Sequence, residues 1–149
     1  MAKQIVVGLG NRFVHDDAVG IEVVGELRKR DLPSVELVDY EEMDLSLLEE
    51  FGDASRLVIV DSMKSGTKPG TVSVFSVAEG SVEALPSLHE LELSDMVTLA
   101  RKVGLLSCPV LIVGIEPAEL TVGEGLSPRV RAAVPAAVET VLALLRNEA

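Results

Sequence analysis

The sequence predicts a three-layer α/β/α domain with a mostly parallel, mixed sheet of about five strands. Three observations predict it: short apolar runs alternate with helical patterns, loops with glycines or acids follow several of the runs, and no repeat, linker or low-complexity segment divides the chain. With 149 residues, 48% of them apolar, the chain is long enough to bury one core. We therefore expect a single domain over residues 1–149.

Five apolar runs predict the strands. They lie, in order, at residues 4–9, Val35–Val38, Leu57–Val60, Thr71–Val77 and Val110–Ile115. The third run is continuous and predicts a buried strand. The fourth alternates polar and apolar residues after a Pro69-Gly70 turn, so we expect a strand with one wet face near an edge of the sheet. Asp39 directly follows the second run and Asp61 the third, so each acid marks the expected end of a strand.

Four segments predict helices, each by apolar spacing or by a signal at its ends. They are residues 17–30, a short helix between the candidate N-cap Asp44 and the stop Gly52, a helix from the capping box of Ser87 and Glu90 to Val103, and residues 128–146 after the Ser127-Pro128 start. Pro135 lies inside the last segment and is expected to bend that helix, because proline removes a backbone donor.

Charge and cysteine content narrow the class of protein. Thirteen basic residues against 24 acidic ones give a net charge of −11, which repels nucleic-acid phosphates and suits a cationic or metal-bearing partner. A solubilising surface accounts for most of that excess. Cys108 is the single cysteine, so no internal disulfide can form. Since no signal peptide or membrane span of ~20 apolar residues is visible, we expect a cytoplasmic protein without nucleic-acid or membrane partners.

The chain opens with an apolar run that leads into Gly8, Gly10 and then the adjacent acids Asp16 and Asp17. Glycines permit a tight turn and close backbone approach, and ligands of open α/β sheets bind at the carboxyl ends of strands. A dinucleotide fingerprint needs a third glycine where Phe13 stands, and two acids would repel a pyrophosphate. The sequence therefore disfavours a nucleotide site here and makes this loop the first candidate for the active site.

Three acids and one histidine are the candidate site residues. Asp17, Asp39 and Asp61 each follow an apolar run or its loop, so we expect them to gather along one edge of the sheet. His89 lies on the apolar face of the helix that follows it. Two carboxylates and an imidazole can form a partial site for a divalent metal, because imidazole suits nickel or zinc and carboxylates accept many divalent ions.

Other roles for these residues stay open on the residues alone. Asp16 and Asp17 can complement the dipole of the helix that follows them. Asp61 can cap a turn, and His89 can be a packed helix residue. His15 is a rival metal ligand, but a loop histidine beside two acids is more often a solvated neighbour, so we prefer His89.

Several short motifs occur in order along the chain. They are Gly8-x-Gly10-Asn11 with Asp16, Asp17 and Gly20; the strand ending at Asp61; Pro69-Gly70-Thr71; His89 with Leu93-x-Asp95; Gly114-Ile115-Glu116-Pro117; and Gly125-Leu126-Ser127-Pro128. With this series the chain resembles the nickel–iron hydrogenase maturation endopeptidases over almost its whole length. That family removes a carboxy-terminal extension from the hydrogenase large subunit after nickel has been inserted.

The resemblance implies an aspartyl-type endopeptidase whose partner is the hydrogenase large-subunit precursor. The nickel-sensing and catalytic roles fall on Asp17, Asp61 and His89. Asp39 is a further catalytic candidate, and Asp16 becomes a helix-capping neighbour. The nickel is held by the cysteines of the substrate rather than by the protease, and other divalent ions can substitute for it. Three oxygen and nitrogen donors form an incomplete shell that such a nickel would complete.

Two segments depart from the family pattern. The family usually has Asp-Gly-Gly-Thr after the second strand, where this chain has Asp39-Tyr40-Glu41-Glu42, and Glu92 stands where glycine is common. Both segments border the expected cleft, so we expect a divergent branch that serves a particular hydrogenase. Two other interpretations remain: a non-catalytic nickel-binding or chaperone module, and an enzyme resembling the peptidyl-tRNA hydrolases. The second shares the Gly-Leu-Gly-Asn opening but requires a basic surface for RNA.

Overall fold

Five strands and four α-helices make up the part of the chain that the structure, a computed structural model, describes: residues 3–77 and 93–146. They are β1 (Gln4–Leu9), α1 (Val19–Leu27), β2 (Val35–Tyr40), α2 (Leu45–Glu50), β3 (Arg56–Ser62), β4 (Val72–Ser76), α3 (Leu93–Lys102), β5 (Val110–Ile115) and α4 (Pro128–Leu145). A single 3₁₀ turn, His15–Ala18, leads into α1. None of the helices in these two ranges has both the length and the apolar character to cross a membrane.

The strands form one sheet in the order β2-β1-β3-β5-β4. The first four are parallel to one another, and β4 pairs antiparallel with β5 at the edge. This confirms the predicted mixed, mostly parallel sheet. It also confirms the expectation that the alternating run near residue 74 forms an edge strand, since three of the five residues of β4 are exposed.

The helices cover both faces of the sheet and so form three layers. Alternate residues of each central strand face opposite ways. Val6, Val58 and Val113 pack with α1 and α4 in one core. Val7, Ile59 and Ile112 pack with α2 and α3 in the other. Because both faces of these strands are buried, the sequence reads as continuous apolar runs rather than as alternation.

Two strands extend further than the sequence predicts. β2 continues through Asp39 to Tyr40 because these residues pair with Gly8 and Leu9 of β1. β3 likewise continues through Asp61 to Ser62, both of which pair with β5. The two acids therefore lie inside strands instead of after them, and the alternation of the strand decides the direction of each carboxylate.

Two glycines bring α1 unusually close to the sheet. A Cβ on Gly20 would lie 2.3 Å from the carbonyl oxygen of Val60, and one on Gly8 would lie 2.4 Å from the carbonyl oxygen of Gly20. Gly10 takes a positive φ of 145°, where a Cβ would meet the backbone of Asp17. The opening glycines therefore fix the acid-bearing turn against the ends of β1 and β3.

The predicted helix ends are partly confirmed. Asp44 caps α2, since its carboxylate accepts a hydrogen bond from the backbone of Leu47 at 2.8 Å. Ser127 and Pro128 open α4 as expected, but the Ser127 hydroxyl makes no capping bond, and α4 continues through Pro135. The predicted helix over residues 17–30 is too long at both ends, because residues 17 and 18 belong to the 3₁₀ turn and α1 ends at Leu27. The capping box of Ser87 and Glu90 lies outside the described residues.

Candidate active site

The carboxyl ends of β1 and β3 hold Asp17 between them. One oxygen of its carboxylate accepts a hydrogen bond from the backbone N–H of Asn11 at 2.9 Å, and the other accepts one from the Ser62 hydroxyl at 3.1 Å. Asn11 follows β1 and Ser62 ends β3, so both strands orient this carboxylate. Asp17 is partly exposed and can therefore reach a ligand at this edge.

Asp61 lies close enough to Asp17 for the two charges to interact. Burial, and then the negative charge of Asp17, raise the pKa of Asp61 from 3.8 to about 7, while a hydrogen bond from the Ser62 backbone opposes the shift. The structure therefore brings Asp17 and Asp61 together as expected, and we refer to them as the carboxylate pair. Two adjacent carboxylates repel each other unless a proton or a cation lies between them.

His89 and Glu92 lie outside the described residues, so the third member of the predicted metal site stays a prediction. Asp61 alternates with Leu57 and Ile59 along β3 and thus faces the α2 and α3 side of the sheet. The helix that follows His89 in the chain, α3, packs on that same side. Within residues 3–77 and 93–146 no group of three or more His, Cys, Asp and Glu side chains is arranged to hold a metal ion.

Asp39 is not brought to the carboxylate pair. It pairs with Gly8 of β1 and so faces the α1 side of the sheet, whereas Asp61 faces the other side. Its carboxylate instead accepts a hydrogen bond from the guanidinium of Arg28 at 2.8 Å, in a partly exposed ion pair. The catalytic role of Asp39 stays a prediction that this placement does not favour.

Asp16 has a role that the sequence does not reveal. It is fully buried, and its carboxylate accepts hydrogen bonds of 2.7–2.8 Å from the backbones of Ala118, Glu119 and Ser127 and from the Ser127 hydroxyl. Burial raises the pKa of Asp16, but these hydrogen bonds, first those from Ser127, outweigh it and lower the pKa below 3.8. The expectation that Asp16 caps a helix is wrong, because its partners belong to the segment after β5.

His15 is also engaged with the segment after β5. Its Nδ1 lies 3.0 Å from the carbonyl oxygen of Gly125, and its ring occupies the space where a Cβ on Gly123 would lie. His15 takes a positive φ of 34° to reach this position. His15, the rival ligand, is therefore held against this loop by a contact that is itself exposed to solvent.

Glu116 orders the loop between β3 and β4. One oxygen of its buried carboxylate accepts hydrogen bonds of 2.8–2.9 Å from the backbone and hydroxyl of Ser65 and from the Thr67 hydroxyl. The bond from the Ser65 backbone has the largest effect, and together with the two hydroxyls it lowers the pKa of Glu116 from 4.5 to about 2, against the opposing effect of burial. The motif around Glu116 was visible in the sequence, but its partners 49 and 51 positions away were not.

Replacement of Glu116 by glutamine is expected to reduce the acid sensitivity of folding. Because the folded protein holds the pKa of Glu116 near 2, its charged form contributes stability above pH 4.5 that disappears as the pH falls towards 2. The difference in free energy of unfolding between wild type and Glu116→Gln should therefore shrink over that range in urea titrations. Glu36→Gln, at an exposed position of β2, is the matched control. A difference that stays constant from pH 6 to pH 2.5 would contradict the assignment.

The fold and the site together define a class: an α/β protein that presents a carboxylate pair, suited to a cation, at the carboxyl edge of a parallel sheet. The family model described as hydrogenase maturation protease matches residues 21–144. The Hydrogenase 2 maturation protease of Escherichia coli K12 is 34% identical over 150 residues, which cover 96% of this chain and 90% of that protein. The chain belongs to the hydrogenase maturation protease family.

Other relatives agree with this membership. The hydrogenase expression/formation protein HoxM of Cupriavidus necator is 32% identical over 154 residues, covering 96% of this chain and 74% of that protein. The solved structure of the hydrogenase maturating endopeptidase HybD from E. coli superposes with a TM-score of 0.81 at 28% identity, covering 98% of this chain and 93% of that one. The resemblance stated from the motifs and the predicted fold class are both confirmed.

Proposed function

We propose that this protein is an endopeptidase that removes the carboxy-terminal extension of a hydrogenase large-subunit precursor, and that it recognises nickel already held by that precursor. The observation that supports the proposal is the carboxylate pair at the carboxyl edge of the sheet, in a chain whose relatives are named maturation proteases and endopeptidases. In the alternative, a non-catalytic nickel-binding or chaperone module, the same pair would bind the nickel-loaded precursor without cleaving it.

The chemistry of the pair suits a cation that arrives with the substrate. Asp17 is oriented by Asn11 and Ser62, so its position does not depend on the ion. Asp61 has a pKa of about 7, so a proton and a cation compete for it near neutral pH. Two carboxylates leave most of a nickel shell unfilled, and we propose His89 as a further donor.

This arrangement would make cleavage conditional on nickel insertion. Without the metal, the precursor brings no positive charge to the pair, so productive binding is weak. With nickel in place, the pair gains a positive partner, and the same contact positions the scissile bond near the edge. The Ser62 hydroxyl donates to Asp17, but a carboxylate is too weak a base to activate a serine, so we propose attack by water rather than by a side chain.

Incubation of the full chain with the large-subunit precursor from the same organism tests this proposal. We expect release of a carboxy-terminal peptide, detected by mass spectrometry, from nickel-loaded precursor and not from nickel-free precursor. Binding of the loaded precursor without release would support the chaperone alternative instead. Equal cleavage of both forms would refute nickel recognition while leaving the protease activity in place.

A further inference from the structure

A short bridge of backbone beside the carboxylate pair joins two loops. Val14 pairs with Gly123 in parallel fashion: the N–H of Gly123 donates to the carbonyl of Phe13, and the N–H of His15 donates to the carbonyl of Gly123, both at 2.8 Å. The carboxylate of Asp16 and the ring of His15 hold the same two loops together. The bridge is therefore a firmly connected part of the structure rather than a loose loop tip.

The outer side of this bridge carries exposed apolar side chains. Phe13 and Val122 each precede a bridge residue, so the parallel register makes them neighbours. Phe13 is 55% exposed and Val122 is 86% exposed, the highest value among the large apolar side chains of the described residues. Leu120, two positions earlier, is 42% exposed. We call Phe13, Leu120 and Val122 the apolar patch. Adjacent exposed apolar residues on a rigid support are typical of contact surfaces.

The apolar patch adjoins the turn that carries Asp17. The backbone N–H of Phe13 donates to the side-chain oxygen of Asn11 at 2.9 Å. The backbone N–H of Asn11 in turn donates to Asp17. A molecule that rests on Phe13 therefore lies beside the turn that holds Asp17, one member of the carboxylate pair.

We propose that the apolar patch is the docking surface for the folded body of the large-subunit precursor, next to the extension that is cleaved; this rests on the proposed function. Charged side chains flank the patch, with Arg12 beside Phe13 and Glu124 two residues after Val122. An apolar centre within a charged rim is the usual composition of a protein–protein contact. We expect the matching contact surface of the precursor to have an apolar centre surrounded by charged residues.

A second copy of this chain is a poorer occupant. With a net charge of −11, two copies repel each other, which opposes self-association at a small patch. A copy seated on Phe13 would also occupy the surface beside the Asp17 turn and would compete there with a protein substrate.

The replacement Val122→Asp tests the proposal against the matched control Val103→Asp. Val103 is also an exposed valine, at 59%. It lies in the loop between α3 and β5, before the amino end of β5, whereas the carboxylate pair lies at the carboxyl ends of the strands. We expect Val122→Asp to raise both the Kd for nickel-loaded precursor and the KM of processing about tenfold, with kcat unchanged. Val103→Asp should stay within twofold of wild type in both quantities. Phe13→Ser provides a second change in the patch, and thermal unfolding verifies that every variant is folded.

The two proposals fail in different ways. If wild type binds the precursor but releases no peptide, the proposed function fails, and the Kd values still decide whether the patch docks the precursor. Equal Kd values for the Val122 and Val103 variants would overturn the docking proposal. It would also be overturned if light scattering showed a wild-type dimer that Val122→Asp converts to a monomer, because the occupant would then be a second copy.

Discussion

Replacement of Asp61 by asparagine is expected to lower processing of nickel-loaded precursor on the order of 10³-fold. Asparagine keeps the shape of the side chain but cannot become an anion, so the pair loses half of its charge toward the incoming metal. Asp44→Asn is the matched control, because asparagine is also a good helix N-cap and the Asp44 carboxylate bonds to the backbone of Leu47 rather than to the pair. Peptide release measured by mass spectrometry at saturating precursor reports the loss, and activity within tenfold of wild type would refute the role of Asp61.

The same change is expected to stabilise the metal-free protein at neutral pH. Folding raises the pKa of Asp61 from 3.8 to about 7, so the folded state disfavours its charged form, and this penalty grows as the pH rises through that range. In urea titrations at pH 7.5 the free energy of unfolding of Asp61→Asn should therefore exceed that of wild type by about 1–3 kcal/mol. At pH 4 the two free energies should be nearly equal. A variant that is more stable but less active is the expected result when a pair of like charges is kept for function at a cost in stability.

Replacement of Asp16 by alanine is expected to destabilise the fold by about 3–5 kcal/mol. It would leave three backbone N–H groups and one hydroxyl, all in partly buried hydrogen bonds, without their acceptor, and each such group costs about 1–3 kcal/mol when nothing replaces the bond. For a chain of 149 residues this corresponds to a fall in Tm of roughly 10 °C, measured by calorimetry. Asp16→Asn keeps one acceptor oxygen, so its loss should be intermediate.

Glu119→Ala is the matched control for Asp16→Ala. Glu119 supplies a backbone N–H to Asp16, but its own side chain is exposed and accepts a hydrogen bond from Thr121, so its removal should change stability by about 0.5 kcal/mol or less. Amide exchange near residues 118–127 should accelerate in Asp16→Ala and not in the control. Unchanged protection there would show that Asp16 does not hold this segment.

The strands and helices could be predicted because their signals are local. The boundaries of β1 and β5 agree with the apolar runs at both ends, since each run is buried on both faces and stops where the core stops. The prediction that Asp44 is an N-cap is correct, because its carboxylate accepts a hydrogen bond from a backbone N–H only three positions away. Such contacts depend on a few neighbouring residues and need no knowledge of the rest of the chain.

The site was predicted only in part, because side-chain direction depends on pairing. Asp17 and Asp61 were correctly placed at one edge, since both come from the carboxyl ends of parallel strands. Asp39 was expected with them, but it lies level with Gly8 and Val60, one position before Asp61, so its carboxylate faces the other side of the sheet. The roles of Asp16 and Glu116 were missed because their partners are distant in sequence.

The bonds between Asp16 and Ser127 join positions 111 residues apart. During synthesis the chain emerges from its amino terminus, so the first strand and its acid-bearing turn leave the ribosome long before their anchor exists. A nascent or truncated chain would carry Asp17 on an unanchored turn. The turn that carries Asp17 is therefore fully anchored only once the start of the last helix has been made.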